Sequence, residues 1–290
     1  MKKKKEKFYS TAVKLKNLAS KDTYNYFSKE SVFLHYSDFN TNWGDAVNAY
    51  LMKAITEKPV VSVKRVFDFN QREKIFGIGS ILNTNLQNSV IWGSGFIKPP
   101  KKLITLPNKI LAVRGKKTAA IFEQYGLGNN SVYGDPALLF PSLYKPKNTR
   151  KYKLGIVPHY TEVDFFMKNK KFNSDEIKII TPLVKNGDYL NIIDQISECE
   201  NIASSSLHGL ILADAYNIPS LRFTLSDKII GGDFKYQDYY SGVGIDSFRT
   251  YRLKNINDFN INEVLEYASL KNIGFDGNTL KSVLLNHLNG

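Results

Sequence analysis

The chain has 290 residues, 42% of them hydrophobic and 13% aromatic, enough to bury the cores of two modest α/β domains and too apolar for a disordered chain. Its net charge of +13 favours anionic partners, yet no basic stripe interleaved with aromatics and no recognised nucleic-acid module is present, so nucleic acid is not an expected partner. The lone Cys199 excludes an internal disulfide framework and a Cys-rich zinc site and fits a reducing compartment. No run of about 18 apolar residues marks a transmembrane helix, and the basic start MKKKKEK is not followed by the apolar segment of a signal peptide.

Residues 1–30 carry nine lysines against Glu6, Asp22 and Glu30, interleaved with Tyr9, Val13, Leu15, Leu18 and Phe27. They read either as a segment drawn to an anionic surface or as a solvated tail. The ordered fold is expected from Ser31, where SVFLHY forms a strand. A polar loop over Ser37–Trp43 then leads into a helix from Gly44, with Ala46, Val47, Tyr50, Leu51 and Ala54 at helical spacing. Asn42 is placed to cap that helix, and Asp45 stands in its first turn, where a carboxylate suits the dipole. Trp43, a large aromatic in a polar turn, offers a wall for a ligand.

Three apolar runs follow, VVSVKRVF, KIFGIGSIL and SVIWGSGF, each reading as a strand. The last two end in glycine and serine, including Gly79 and Ser80, where the backbone can approach a ligand. Neither the phosphate-loop lysine motif nor the full dinucleotide fingerprint is present, so ordinary strand-to-loop turns remain an equal reading. ILAVRGKKTAAIFEQYG gives another strand with Arg114 at its end, then a helix closed by Gly126. An arginine there can grip a carboxylate or phosphate with two hydrogen bonds, or pair with a neighbouring acid. VYGDPALLF reads as loop and strand, and PSLYKPKNTRKY as a linker.

The second unit opens with KLGIVPHY, a strand that sets His159 at its end. EIKIITP is a strand and DYLNIIDQISEC a helix. The stretch NIASSSLHGLILADAYNIPS compresses strand, turn, helix and strand into twenty residues, the local grammar of a doubly wound domain. Ser204, Ser205 and Ser206 bring hydroxyls and backbone N–H groups to a helix N-terminus that can hold an anion, although serines there often only cap. Leu207 begins that helix, and His208 lies in its first turn, where the dipole favours the neutral imidazole. From Ser226 to Ser247 a loop with a short helix is expected, in which Lys235, Tyr239 and Tyr240 could meet a sugar. Helices are expected from Asn260 onward. The resulting domains are 31–145 and 152–259, with a basic segment 1–30 and C-terminal helices 260–290.

Together NWGDAVNAYL, FGIGSIL, WGSGF, AVRGKKT, YGDPALL and SSSLHGLILADAYNIPS resemble the polysaccharide pyruvyl transferase family in order and spacing, over roughly residues 31–245. Many relatives have an arginine where this chain has Ser206, so another group must take over any role that arginine has; Arg114, Lys116 and Lys117 are candidates. The resemblance implies an α/β fold of two Rossmann-like domains facing across a cleft, similar to the GT-B glycosyltransferases. It implies phosphoenolpyruvate as donor and a pyruvate ketal on a sugar as product. On that basis His208 is expected to be catalytic. Arg114, Ser204–Ser206, Leu207, Asn42, Trp43, Gly44, Asp45, Gly79, Ser80 and His159 are expected to bind substrate. The four histidines are widely spaced and no Asp-x-Asp occurs, so neither metal nor cofactor is expected beyond the donor itself. The implied acceptor is an oligosaccharide of a cell-surface polysaccharide or its lipid-linked precursor, modified in the cytoplasm or at the inner membrane face. Two other readings remain open: a GT-B glycosyltransferase with a nucleotide-sugar donor, and a non-catalytic glycan-binding protein.

Overall fold

The computed structural model describes residues 30–36, 42–65, 72–128, 132–146, 149–185, 187–225 and 229–290. The basic segment up to residue 29, most of the polar loop before Trp43, the end of VVSVKRVF and part of the linker therefore lie outside the described residues.

Two sheets carry the strands, each five-stranded and parallel throughout. The first contains β1 (Val32–Leu34), β2 (Val60–Ser62), β3 (Lys74–Phe76), β4 (Ser89–Trp92) and β5 (Lys109–Ala112), in the order β2-β1-β3-β4-β5. The second contains β6 (Tyr152–Val157), β7 (Ile177–Ile179), β8 (Cys199–Ser204), β9 (Ser220–Thr224) and β10 (Thr250–Arg252), in the order β10-β9-β8-β6-β7. Counted from its own first strand, the second sheet repeats the order of the first. In each, the winding reverses beside the first strand, between β1 and β3 and between β6 and β8. Connections leaving the carboxyl ends at such a point diverge, and open α/β sheets take ligands there. His35, Gly77, Pro158-His159 and the serine turn stand at those four strand ends.

The apolar runs form strands because a parallel sheet covered on both faces has no solvated side: β4 is buried at every position and β6 at its last four. The helices used below are α1 (Trp43–Ala46), α2 (Asn48–Thr56), α3 (Lys116–Glu123), α4 (Asn191–Ser197), α5 (Leu207–Ala215), α6 (Phe234–Gly242) and α7 (Gly277–Asn289).

Three local expectations are corrected. The single helix from Gly44 is two, α1 and α2, meeting at Val47. There the buried Asn48 turns its amide onto the carbonyls of Gly44 (2.9 Å) and Ile78 (3.0 Å), and accepts the Ile78 N–H (2.8 Å). YGDPALLF is helical rather than a strand: Asp135 accepts the Ala137 N–H (3.0 Å) and caps the 3₁₀ turn Pro136–Leu139, with Pro136 at its first position. Finally, β10 was not anticipated. It is a three-residue edge strand whose TYR carries no alternation long enough to read.

A single apolar cluster runs through both halves, joining Trp43, Val47, Leu51 and Trp92 to Val157, Leu207, Leu210 and Ile211. The last helix, α7, returns to the first half: Leu280 is in the same cluster, and its carbonyl accepts Trp92 Nε1 at 2.8 Å. Among the described residues no helix is long and apolar enough to cross a membrane.

Candidate active site

The serine turn works mostly on itself. Ser204 Oγ lies 2.8 Å from the carbonyls of Val157 and Ser206 and accepts the Ser206 N–H at 3.0 Å. Ser205 Oγ donates to Glu162 (2.7 Å) and accepts the His159 N–H (2.8 Å). The expectation of three ligand hydroxyls is thus corrected for Ser204 and Ser205, because both are consumed in holding the carboxyl ends of β6 and β8 together. Ser206 occupies the N-cap of α5, but its side chain makes no cap bond. Leu207 is buried. What the turn offers a ligand is therefore backbone N–H, at the positive end of a nine-residue helix.

His208 projects from the first turn of α5 into the first half of the molecule. Its ring lies against Gly44, where a Cβ would fall 2.0 Å from Cε1 and 2.1 Å from Nδ1. Only glycine permits that approach. Behind the ring stands Trp43, centroids 5.8 Å apart. Trp43 is fully buried and donates Nε1–H to the Tyr189 carbonyl at 2.8 Å, so it walls the histidine and not, as expected, a ligand. Nε2 of His208 faces Asp135 Oδ2 at 3.8 Å. Both atoms are buried and, among the described residues, neither has a hydrogen-bond partner. Two unsatisfied polar atoms aimed at each other, just beyond bonding distance, are costly to leave so. Since Nε2 is buried, the 11% exposure left to the side chain belongs to its other atoms. Burial, with the nearby Arg114 and Lys235 charges, pushes the His208 pKa down to about 3. Burial likewise pushes Asp135 up to about 6, against the Ala137 N–H and Arg114, which favour its charge. The pair thus holds a neutral imidazole beside a carboxylate that titrates just below neutrality.

Arg114 does not present its fork to a ligand, and that expectation is corrected. Its side chain is fully buried. Nε and Nη2 lie 2.9 Å from Asp238 Oδ2, Nη1 donates to Ser80 Oγ (2.6 Å) and Nη2 to the Phe96 carbonyl (2.8 Å). The same carboxylate accepts the Thr118 N–H (2.7 Å) and hydroxyl (2.8 Å). Asp238 sits on α6, so this ion pair bolts the strand end before α3 to the second half. The alternative of an arginine paired with a neighbouring acid is the one realised.

The cation that remains is Lys235, in the first turn of α6. It is only 7% exposed, and among the described residues its ammonium makes no ion pair or hydrogen bond. Its charge bears on both His208 and His159, and Asp45 and Glu162 act on it in turn, so it stands among the residues the two halves contribute. Burial, aided by Arg114 and Arg222, lowers its pKa to about 8. His159 is pushed down to about 4 by burial and by Lys235, and its Nδ1 pairs with Thr161 Oγ1 at 2.8 Å. Tyr239 and Tyr240, in contrast, are buried, and Tyr239 donates to Asp214 (3.0 Å), so neither is available to a sugar.

Asn42 precedes α1, but its side chain makes no cap bond; its carbonyl accepts the Asp45 N–H at 3.0 Å and the Ala46 N–H at 2.9 Å. Asp45 sits beside Gly79, whose carbonyl accepts the Gly95 N–H at 3.1 Å. Ser80 is occupied by Arg114. Sequence reasoning missed Asn48, Asp135 and Asp238 as site or scaffold residues; Lys235 it singled out, but as a contact for a sugar. For Asp135 a signal existed: Asp-Pro before an apolar run is a helix start. For Asp238 there was none, since its partner lies 124 positions away.

Several known proteins are similar to this chain. An uncharacterised protein, L143, of Acanthamoeba polyphaga mimivirus is 27% identical over 251 residues, covering 83% of this chain and 85% of that one. The succinoglycan biosynthesis protein ExoV of Rhizobium meliloti (strain 1021) is 27% identical over 222 residues, 74% of this chain and 64% of ExoV. A functionally uncharacterised protein of Klebsiella pneumoniae, of known crystal structure, aligns with a TM-score of 0.47 at 15% identity, over 81% of this chain and 99% of that one. The family model for polysaccharide pyruvyl transferases matches residues 75–227, more than half of the chain and the span that holds Arg114, Asp135 and His208, and the chain belongs to that family.

Proposed function

We propose that this protein transfers the enolpyruvyl-derived group of phosphoenolpyruvate onto a sugar of a cell-surface polysaccharide or its lipid-linked precursor, forming a pyruvate ketal. The observation that carries this reading is the His208–Asp135 pair, two buried groups unsatisfied among the described residues, set beside a helix N-terminus without a side-chain cap and beside Lys235, whose ammonium makes no ion pair or hydrogen bond among those residues. The donor is a small polyanion. Backbone N–H groups of α5 and the Lys235 ammonium would hold it, Lys235 taking the place of the arginine that Ser206 replaces. The two sheets would then act as the halves of a GT-B-like cleft closing over both substrates.

The chemistry asks for a base that arrives neutral, as His208 does. One sugar hydroxyl adds to C2 of the enol while its proton passes through the imidazole to C3, which becomes the methyl group. The C2–O bond to phosphate then breaks. The second hydroxyl closes the ketal, and its proton leaves through the same imidazole to the departing phosphate. The two hydroxyl protons thus end on C3 and on phosphate, and the ledger balances. Asp135 steadies the imidazolium at each passage by accepting from Nε2. With phosphoenolpyruvate and an acceptor oligosaccharide, inorganic phosphate should be released in step with a new ketal methyl signal in the proton NMR spectrum. Nucleotide release from a nucleotide sugar, with phosphoenolpyruvate untouched, would overturn the reading.

The same reading places the protein peripherally on anionic membranes through residues 1–30. Each lysine near the surface contributes about 1 kcal/mol at most, screened over roughly 8–10 Å. Deleting the segment should abolish low-salt co-sedimentation with anionic vesicles and spare activity on a soluble acceptor.

A further inference from the structure

Away from the His208–Asp135 pair, a cavity of about 970 Å³ opens at the carboxyl ends of β9 and β10. Lys98, from the loop after β4, faces it from the first half; Arg222, Asp233, Arg252 and Lys254 line it from the second. Among the described residues, four cations therefore stand around one carboxylate. Asp233 is shared, Oδ1 with Arg222 Nη2 (2.5 Å) and Oδ2 with Arg252 Nη2 (2.7 Å), so among the described residues neither arginine has an acid of its own. Arg222 is the buried one. Its side chain is 3% exposed, its Nη1 reaches Thr250 Oγ1 only at 3.3 Å, and its Nε–H is buried without a hydrogen-bond partner among the described residues. Its guanidinium lies 3.8 Å over the ring of Tyr236, whose hydroxyl donates to the Ser205 carbonyl at 2.7 Å, which ties this cavity rigidly to the serine turn. The turn Gly231-Gly232 also lines the cavity. Gly231, at φ +87°, lies so near the Ile97 carbonyl that a Cβ would be 2.0 Å from it, which brings the Lys98 loop against the second half. A second hollow of about 440 Å³ shares Arg222, Asp233 and Arg252 and continues past Phe248.

We propose that this cavity binds the diphosphate of a sugar ligand, separately from the donor anion at α5. Arg222 is buried with its Nε–H unmet, which is unfavourable unless an anion answers it, and the exposed Lys98, Arg252 and Lys254 add positive charge around the same opening. One phosphate would be met by one arginine fork. Cations spread over three chain segments, around a cavity this large, match an extended group with more than one negative charge, and the adjoining hollow has room for what the diphosphate carries. The proposal rests on the reading of the protein as a sugar-modifying transferase. The diphosphate belongs either to a lipid-linked sugar or to a nucleotide sugar.

The test measures binding of inorganic pyrophosphate by titration calorimetry, to the full chain and to the double variant Lys98→Gln/Lys254→Gln, both lysines being exposed. Pyrophosphate should bind the parent protein and lose affinity tenfold or more in the variant. Phosphoenolpyruvate binding should change less than twofold, and saturating phosphoenolpyruvate should not displace pyrophosphate. Absence of pyrophosphate binding, equal binding to both proteins, or competition with phosphoenolpyruvate would each overturn the proposal. An alkyl-diphosphate sugar and a nucleoside diphosphate, compared in the same assay, identify the source by which binds more tightly. Lysine-dependent pyrophosphate binding in a protein that leaves phosphoenolpyruvate unconsumed would sink the transferase reading and keep the site; ketal formation with no pyrophosphate binding would do the reverse.

Discussion

The two sheets share a strand order, yet their carboxyl edges are used differently. In the first half the strand-end groups are spent on structure. Arg114 is locked to Asp238, Ser80 holds Arg114, and Asn48 is tied to the Ile78 backbone. At the junction with the second half, chemistry is left unfinished: α5 lacks a side-chain cap, His208 Nε2 and Asp135 Oδ2 have no partner, and the Lys235 ammonium is unpaired among the described residues. A motif residue in this fold is therefore not a reactive residue by position alone. Arg114, Ser80 and Asn48 are bonded into the scaffold, whereas His208 Nε2 and Asp135 Oδ2 are not.

That division predicts which substitutions damage catalysis and which damage folding. The largest effect is expected at His208: His208→Ala should lose about 10²–10⁴ in kcat while unfolding remains cooperative, and activity within threefold of the parent would remove it from the working set. Next is the scaffold. Asp238→Asn leaves Arg114 buried and uncompensated, which should cost about 3–5 kcal/mol of stability by denaturant titration; a loss of activity at unchanged stability would move Arg114 into the working set after all. Lys235→Met should raise the KM for phosphoenolpyruvate about 10–100-fold, the worth of a charged hydrogen bond, with little change in kcat. An unchanged KM would return Lys116 and Lys117 as candidates.

The smallest effect, and the sharpest test, concerns pH. Asp135 titrates at about 6 and His208 at about 3, so below about 6 the carboxyl is protonated and no longer supports an imidazolium, whereas His208 itself stays neutral until far lower. The kcat/KM profile of the free enzyme should therefore fall on its acid side near pH 6. Asp135→Asn should flatten that limb and reduce kcat/KM about tenfold at neutral pH. A limb that persists in the variant would assign it to another group.

Much of this was legible in the chain. The apolar runs identify nine of the strands because buried parallel strands read as continuous hydrophobic stretches. The serine turn and His208 stand out because capping chemistry is local. The placing of ligand-side residues at strand ends follows from alternation of strand and helix. Partnership was not legible. Whether Arg114 faces a substrate or Asp238 depends on two segments 124 positions apart meeting across the junction, and no spacing rule spans that distance. Asp135 looks like a turn residue until folding sets it 3.8 Å from a histidine 73 positions further on. Lys235 reads as a contact for a sugar, and only the packing of α6 shows that it is buried. Residue types and local periodicity decided the elements, since those follow from short-range backbone and hydrophobic preferences. Only the packing of one half against the other decided which polar groups are satisfied and which are left over to act.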